Sequence, residues 1–296
     1  VTLEINTSLV QRLIHDQFPH WAHLPINPVA RGGWDNRTFH LGSDMLVRLP
    51  SAAGYAAQVA KEQRWLPYLA PRLPLPIPAP LAQGEPGQGY PYPWSVYTWL
   101  EGEPAATARI ADLEQFAVDL AGFLTVLQGV NATDGPLPGE HSALRGAPPS
   151  VWDADVQRAL TLLEGRIDTR ATRTVWDAAL EAKFTGAPVW FHGDVAVGNL
   201  LVNDGRLSAL IDFGCAGVGD PACDLVIAWT LFTHQSRAAF KAGLNLDAGT
   251  WARGRGWALW KALITLSGLT TTNAAEAQYA QTIIERVLED HQRGEP

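Results

Sequence analysis

Cysteine is nearly missing from this chain: Cys215 and Cys223 are the two present in 296 residues. Two thiols beside one predicted helix start make neither a disulfide framework nor a zinc site, so a reducing, cytoplasmic compartment is expected. No apolar run approaches the roughly 20 residues a membrane span requires. The segment Val1-Thr2-Leu3-Glu4-Ile5 has no basic stretch followed by an apolar one, and no signal peptide is expected. Runs of Lys or Arg are also missing, and the net charge is −8. A nucleic-acid partner would call for a basic patch, so none is expected. The acidic balance suits a cationic substrate and equally suits plain solubility. Charged residues make up 18% and hydrophobic residues 47%, the balance of a folded globular chain and not of a disordered one.

What is present is enough chain for one large domain or two lobes with a substantial core. The twelve tryptophans are assigned mainly to the core and to lobe packing. Residues 4–20 place Leu9, Leu13, Ile14 and Phe18 at helical spacing before Pro19. Thr38 to Leu41 and Met45 to Leu49 read as a hairpin turning at Gly42-Ser43-Asp44. Ala56 to Leu69 reads as a helix with Pro67 near its end. Pro71 to Pro80 excludes a helix or a central strand and is expected to run extended. Trp94 to Leu100 reads as a strand broken by Glu101-Gly102-Glu103-Pro104, which places a lobe boundary there: residues 1–100 and 101–296. Helices follow at Ile110 to Leu127, Val156 to Ile167, Arg173 to Phe184, Leu225 to Phe232, Trp251 to Ser267 and Ala274 to Leu288. Short strands are expected at Pro188 to Phe191, Leu200 to Val202 and Leu207 to Asp212. Between Asn131 and Ser150 lies a Gly/Pro-rich loop long enough to suggest a function or a lid. Strands first and helices after predict an α+β chain, with a mixed N-terminal lobe and a mostly helical C-terminal one.

The chemistry concentrates in Trp190-Phe191-His192-Gly193-Asp194, Gly198-Asn199-Leu200 and Ile211-Asp212-Phe213-Gly214. A phosphoryl-transfer site needs one carboxylate to orient a hydroxyl, here Asp194, and oxygen donors for magnesium, here Asn199 and Asp212. A lone Asp after a strand can simply cap a turn. The three together at this spacing point to catalysis. Gly214 is expected to let the backbone turn after Asp212. His192 reads as a structural ring that holds the loop. Asp220 and Asp224, the latter near a helix start, read as braces for it. Gly32, Gly33 and Asn36 precede the hairpin where a backbone can approach phosphates. Arg48 is a candidate phosphate clamp, with Glu62 as its ion-pair partner. A dinucleotide-binding reading has no support, because Gly32-Gly33 precedes a hairpin and not a helix.

These blocks resemble the aminoglycoside phosphotransferase family. The segments His192 to Leu200, Ile211 to Gly214 and Gly219 to Leu225 look like its signatures, and the resemblance spans nearly the whole chain. It implies a bilobal protein-kinase-like fold, with an antiparallel sheet and helix in the N-terminal lobe. It also implies Asp194 as the catalytic residue, Asn199 and Asp212 as ligands of Mg2+, and ATP or GTP as phosphate donor. Gly33 to Phe39 matches the nucleotide loop, where Trp34 is unusually bulky, and Glu62 matches the helix acid that holds the phosphate-binding base. That base is Arg48 where the best-known members have Lys. The hinge Thr98, Trp99 and Leu100 would meet the purine. The acceptor would be a small-molecule alcohol lying against Asp153, Asp155, Trp229 and Trp257. An aminoglycoside-type antibiotic is the first expectation. A macrolide, choline, homoserine or a sugar is the alternative, and a non-catalytic nucleotide-binding scaffold the last. Glu285, Glu289 and Asp290 read as solvated acids, and Arg145 as a surface arginine whose contact with an anion would argue against an aminoglycoside. A monomer and a homodimer both fit.

Overall fold

The computed structural model describes residues 4–29 and 35–294. Helix α1 (Thr7–Gln17) starts where the Asn6 side chain accepts from the Leu9 amide, and it buries Leu9, Val10, Leu13 and Ile14. Against it packs a five-stranded antiparallel sheet in the order β1-β2-β3-β5-β4. Its strands are β1 (Ile26–Pro28), β2 (Asn36–Leu41), β3 (Met45–Pro50), β4 (Pro80–Gly84) and β5 (Trp94–Thr98). The pairing Phe39↔Val47 and Val47↔Val96 sets the register, and all three side chains are buried in one layer. Helix α2 (Ala53–Leu69) runs on through Pro67, which sits in its last turn where little is lost.

The remainder is mostly helical: α3 (Leu113–Gly129), α4 (Asp153–Leu162), α5 (Thr169–Glu181), α6 (Ile227–Thr230), α7 (His234–Leu244), α8 (Ala248–Leu266) and α9 (Ala274–Gln292). Short strands support the loops between them: β6 (Glu103–Pro104), β8 (Leu200–Asn203) and β9 (Arg206–Leu210) in one ribbon, β7 (Val189–Phe191) and β10 (Gly217–Gly219) in another. One hydrophobic cluster joins α1 to the sheet. The second and larger one includes Leu66 and Leu69 of α2 and Tyr97 of β5 along with the helical part. Helix α2 is therefore anchored to the C-terminal core as well as to the sheet.

Several expectations change. The extended Pro-rich segment ends as β4, which the sequence reading missed. It lies on the sheet edge, where Pro80 costs no ladder bond, with a register shift between Pro80 and Ala82. Helix α7 was also missed, although Thr233 and Ser236 form its capping box. Asp290 is not solvated. It is buried and ion-paired to Arg255 at 3.0 Å, Lys241 at 3.1 Å and Arg237 at 3.5 Å, tying α7 and α8 to α9. Burial would raise its carboxyl; Lys241 and Arg255 overcome that and hold it below the usual range.

The 131–150 segment is a fixed strap rather than a lid. The Asn131 carbonyl accepts from the Trp190 indole at 3.1 Å, Pro136 from the Val218 amide at 2.8 Å, and Gly146 from the Asp220 amide at 3.0 Å. Gly146 has φ +79°, and a Cβ there would lie 2.1 Å from the Phe191 ring. Only glycine satisfies both the backbone and the contact.

Candidate active site

Strand β7 delivers His192, Gly193 and Asp194 to a loop braced from below. The buried Asp224 carboxylate accepts from the His192 amide at 2.8 Å and the Gly193 amide at 2.7 Å. Burial raises its carboxyl, while the hydrogen bonds from the His192 and Gly193 amides oppose that rise. His192 Nε2 lies 3.0 Å from the Ile211 carbonyl, and its Nδ1 accepts from the Asp194 amide at 3.2 Å. Those partners call for a neutral ring with its proton on Nε2. Asp220 caps the Ala222 amide at 3.1 Å and pairs with Arg253 at 2.6 Å. His192, Asp220 and Asp224 therefore all hold backbone in place.

Asn199 Nδ2 donates to Asp194 Oδ2 at 2.8 Å and to the Asp194 carbonyl at 3.0 Å. Both bonds use the amide nitrogen, which leaves Oδ1 as the atom for a cation. The Asn199 carbonyl accepts from the Ile211 amide at 2.9 Å and brings Asp212 alongside. Asp212, and not Gly214, makes the sharp turn: its φ is +64° and ψ +67°. Gly214 matters for a close approach instead, since a Cβ there would lie 2.8 Å from Gln58 Oε1.

Arg48 projects from β3, the middle strand, with 13% of its side chain exposed. It bonds Glu62 of α2 at 3.2 Å and Asp212 at 2.8 Å. Glu62 also accepts from the Tyr97 hydroxyl at 2.5 Å. Burial alone would push the Asp212 carboxyl up, but the Arg48 guanidinium beside it holds it below the usual range. Desolvation notwithstanding, Arg48 is driven further toward its protonated form by Asp212 and Glu62.

Sequence reasoning missed Lys61, the neighbour of Glu62. Its ammonium donates to the carbonyls of Gly214 at 2.5 Å, Ala216 at 3.0 Å and His141 at 3.2 Å, and lies 3.0 Å from His141 Nδ1. Burial lowers it to about 8. It fastens α2 to the turn after Asp212 and to the strap. A Lys-Glu pair on a helix carries no signal of this, because the partners are backbone carbonyls far along the chain. Asp35 at the edge of the site is raised by burial and by Asp212 and Asp194, with a Tyr55 hydrogen bond opposing. Cys215 is half-buried and its thiol is pushed up to about 12, chiefly by desolvation.

Gly32 and Gly33 lie outside the described residues. Asn36 is buried at the start of β2. At the hinge, the Thr98 amide already donates to Ala79 and the Trp99 amide to Asp44. The Leu100 N–H has no partner among the described residues.

The proposed acceptor lining is not assembled as expected. Trp229 is wholly buried beside Trp251 and lines nothing. Asp153 accepts from the Trp176 indole at 2.7 Å and from Gln157 at 3.1 Å, which spends it on packing α4 against α5. Asp155 shares that first turn, half-buried. Trp257 is buried, and Arg145, far from being a free surface arginine, lies over it.

The phosphotransferase enzyme family matches residues 26–257 of the chain. A search of curated protein sequences gives no match. Among solved structures, the GDP complex of wild-type aminoglycoside 2'-phosphotransferase-IIIa is similar at 19% identity and a TM-score of 0.70, over 97% of this chain and 100% of that one. A streptomycin-ATP-APH(2")-IIa ternary complex follows at 17% and 0.61, over 98% and 97%. The apoenzyme of macrolide 2'-phosphotransferase MphH from Brachybacterium faecium is similar at 22% and 0.62, over 94% and 98%. The shared architecture is the kinase-like one, an antiparallel sheet with a helix followed by a mostly helical part. The chain belongs to the phosphotransferase enzyme family.

Proposed function

We propose that this protein transfers the γ-phosphoryl group of ATP or GTP to a hydroxyl of a small molecule. The observation that carries this is one connected set of contacts: Glu62 to Arg48, Arg48 to Asp212, and Asp194 to Asn199, with Ile211 bonding Asn199 between them. Asp194 stands half-buried at the end of a braced loop, where a carboxylate can orient an acceptor hydroxyl and take its proton late. Asn199 Oδ1 and Asp212 are two hard oxygen donors, a set that fits Mg2+ because phosphate oxygens and water complete its shell. When bound, the ion would offset charge on the β- and γ-phosphates. Arg48 would move from Asp212 toward the phosphates while Glu62 retains it. The purine would meet the Leu100 amide, which has no partner among the described residues. This division of labour follows the lobe boundary near residue 100.

Two readings of the acceptor have support. An aminoglycoside-type antibiotic is supported by neighbours whose names carry that activity. A metabolic alcohol, a sugar or a macrolide is supported by the lining itself, where Trp229 is wholly buried and Asp153 already accepts from the Trp176 indole and from Gln157. Among the described residues, no helix is long and apolar enough to cross a membrane. A cytoplasmic setting is inferred from the two unpaired thiols. The test is ATP and GTP turnover with magnesium over aminoglycosides, macrolides, choline, homoserine and sugars. Turnover of any acceptor that disappears in Asp194→Ala supports the proposal. Turnover that survives Asp194→Ala refutes the role given to Asp194.

A further inference from the structure

Arg145 reaches the catalytic loop from the strap. Its Nε donates to the Gly193 carbonyl at 2.9 Å, one residue before Asp194. Its guanidinium lies over Trp257 at 5.2 Å and over Trp260 at 5.1 Å, and Trp260 stacks on Trp152 at 4.3 Å. Nη1 makes one long bond to Ala143 at 3.4 Å, and Nη2 has no hydrogen-bond partner among the described residues. This is a half-buried cation held rigid by ring faces and a carbonyl, with donors left over. One helical turn beyond Trp257, on the same face of α8, is the exposed Lys261. Neither Arg145 nor Lys261 enters an ion pair among the described residues, although the chain carries more acids than bases. The Lys261 ammonium is pulled below the ordinary lysine range by desolvation and then by Arg145, while Asp194, Glu276 and Asp35 pull it the other way.

We propose that the acceptor carries an anionic group, a carboxylate or a phosphate, near the hydroxyl addressed by Asp194, and that Arg145 and Lys261 bind it. The inference rests on the phosphotransfer reading of the Asp194 loop and names the substrate class for that same site. Two neighbouring like charges without an ion-pair partner repel each other, and an incoming anion relieves that repulsion. Asp194 attracts Lys261 from a distance but closes an ion pair with neither cation among the described residues, its Oδ2 being bonded to Asn199. Because Arg145 is already immobilised, little side-chain entropy remains to be lost on binding. The same pair disfavours an acceptor bearing several ammonium groups. The nucleotide's γ-phosphate is the other source of anionic charge. The cation on that side is Arg48, which comes from β3 and bonds Asp212, whereas Arg145 lies against α8, the helix that carries Lys261.

The test is calorimetry on the full chain loaded with ADP and magnesium. Glycerate, gluconate and 3-phenyllactate are each compared with the uncharged amide that keeps the hydroxyl. The expected result is at least one acid binding about tenfold or more tighter than its amide, a preference lost in Lys261→Gln and reversed toward cationic alcohols in Lys261→Glu. Lys261 is exposed, so these variants should fold. If no acid outbinds its amide, the inference is overturned. It is also overturned if Lys261→Gln weakens a β,γ-imido ATP analogue while leaving the acid preference unchanged, because the cations then serve the γ-phosphate. Failure of the wild type to bind ADP with magnesium would be a separate result that removes the phosphotransfer reading beneath it.

Discussion

Replacing Lys61 with Met should produce a stability deficit that grows as the solution becomes more alkaline. At neutral pH two effects compete. The variant strands the carbonyls of Gly214, Ala216 and His141, each worth about 1–3 kcal/mol if buried and unpaired. It also removes a charge whose burial is unfavourable. The fall from 10.5 to about 8 corresponds to roughly 3 kcal/mol against the charged form. At about 2 kcal/mol each, three stranded acceptors outweigh that relief, so Lys61→Met should be less stable at neutral pH by about 3 kcal/mol. The pH dependence follows from the sign of the shift. Between about 8 and 10.5 the unfolded state binds the proton that the folded state has lost, so wild-type stability rises with pH in that window. From about pH 7.5 to about 9.5 the gain is roughly 2 kcal/mol, and the variant lacks it. Urea unfolding of both proteins at each pH measures this, because titrating groups away from Lys61 cancel in the difference. A constant gap, or one that narrows with pH, refutes the buried, charge-destabilised Lys61.

Asp194→Ala should lower turnover by about 10²–10⁴-fold while leaving the ADP dissociation constant unchanged, as checked by coupled assay and calorimetry. Asp224→Ala strands the amides of His192 and Gly193 and should cost about 2–5 kcal/mol in unfolding free energy, with activity falling through a loosened loop. Gly146→Ala forces a Cβ into the Phe191 ring at a left-handed position and should destabilise by roughly 2–4 kcal/mol, read as a lower Tm. Leu100→Pro removes the one hinge amide without a partner among the described residues; KM for ATP should rise about tenfold or more with a smaller change in kcat.

The sites most legible in the primary structure were those set by short spacing. Asp194 and Asn199 are five residues apart, so the loop that joins them must bring them together whatever surrounds it, and the spacing to Asp212 across one β-hairpin is nearly as local. Periodicity placed α1, α2, α3, α8 and α9 because each has an apolar face to bury. Although β5, β7, β8 and β9, of similar length but richer in apolar residues, were legible, the short strands β1, β4, β6 and β10 were not. Their stability comes from a neighbouring strand and not from their own pattern.

By itself the amino-acid sequence singled out the candidate triplet Asp194, Asn199 and Asp212, the pairing of Arg48 with Glu62, and the order of a sheet followed by helices. Each of these depends on local spacing, on hydrophobic period, or on a family signature contained in a few contiguous residues. Only the tertiary structure decided which charges are spent and which are free. Asp153, Asp290 and Trp229 looked available in one dimension and are consumed by Trp176, by three cations and by the core. Lys61 and Arg145 looked ordinary and are fastened to the two sides of the site. Their partners are carbonyls and ring faces that are dozens of residues away or more, and only folding brings such groups within reach.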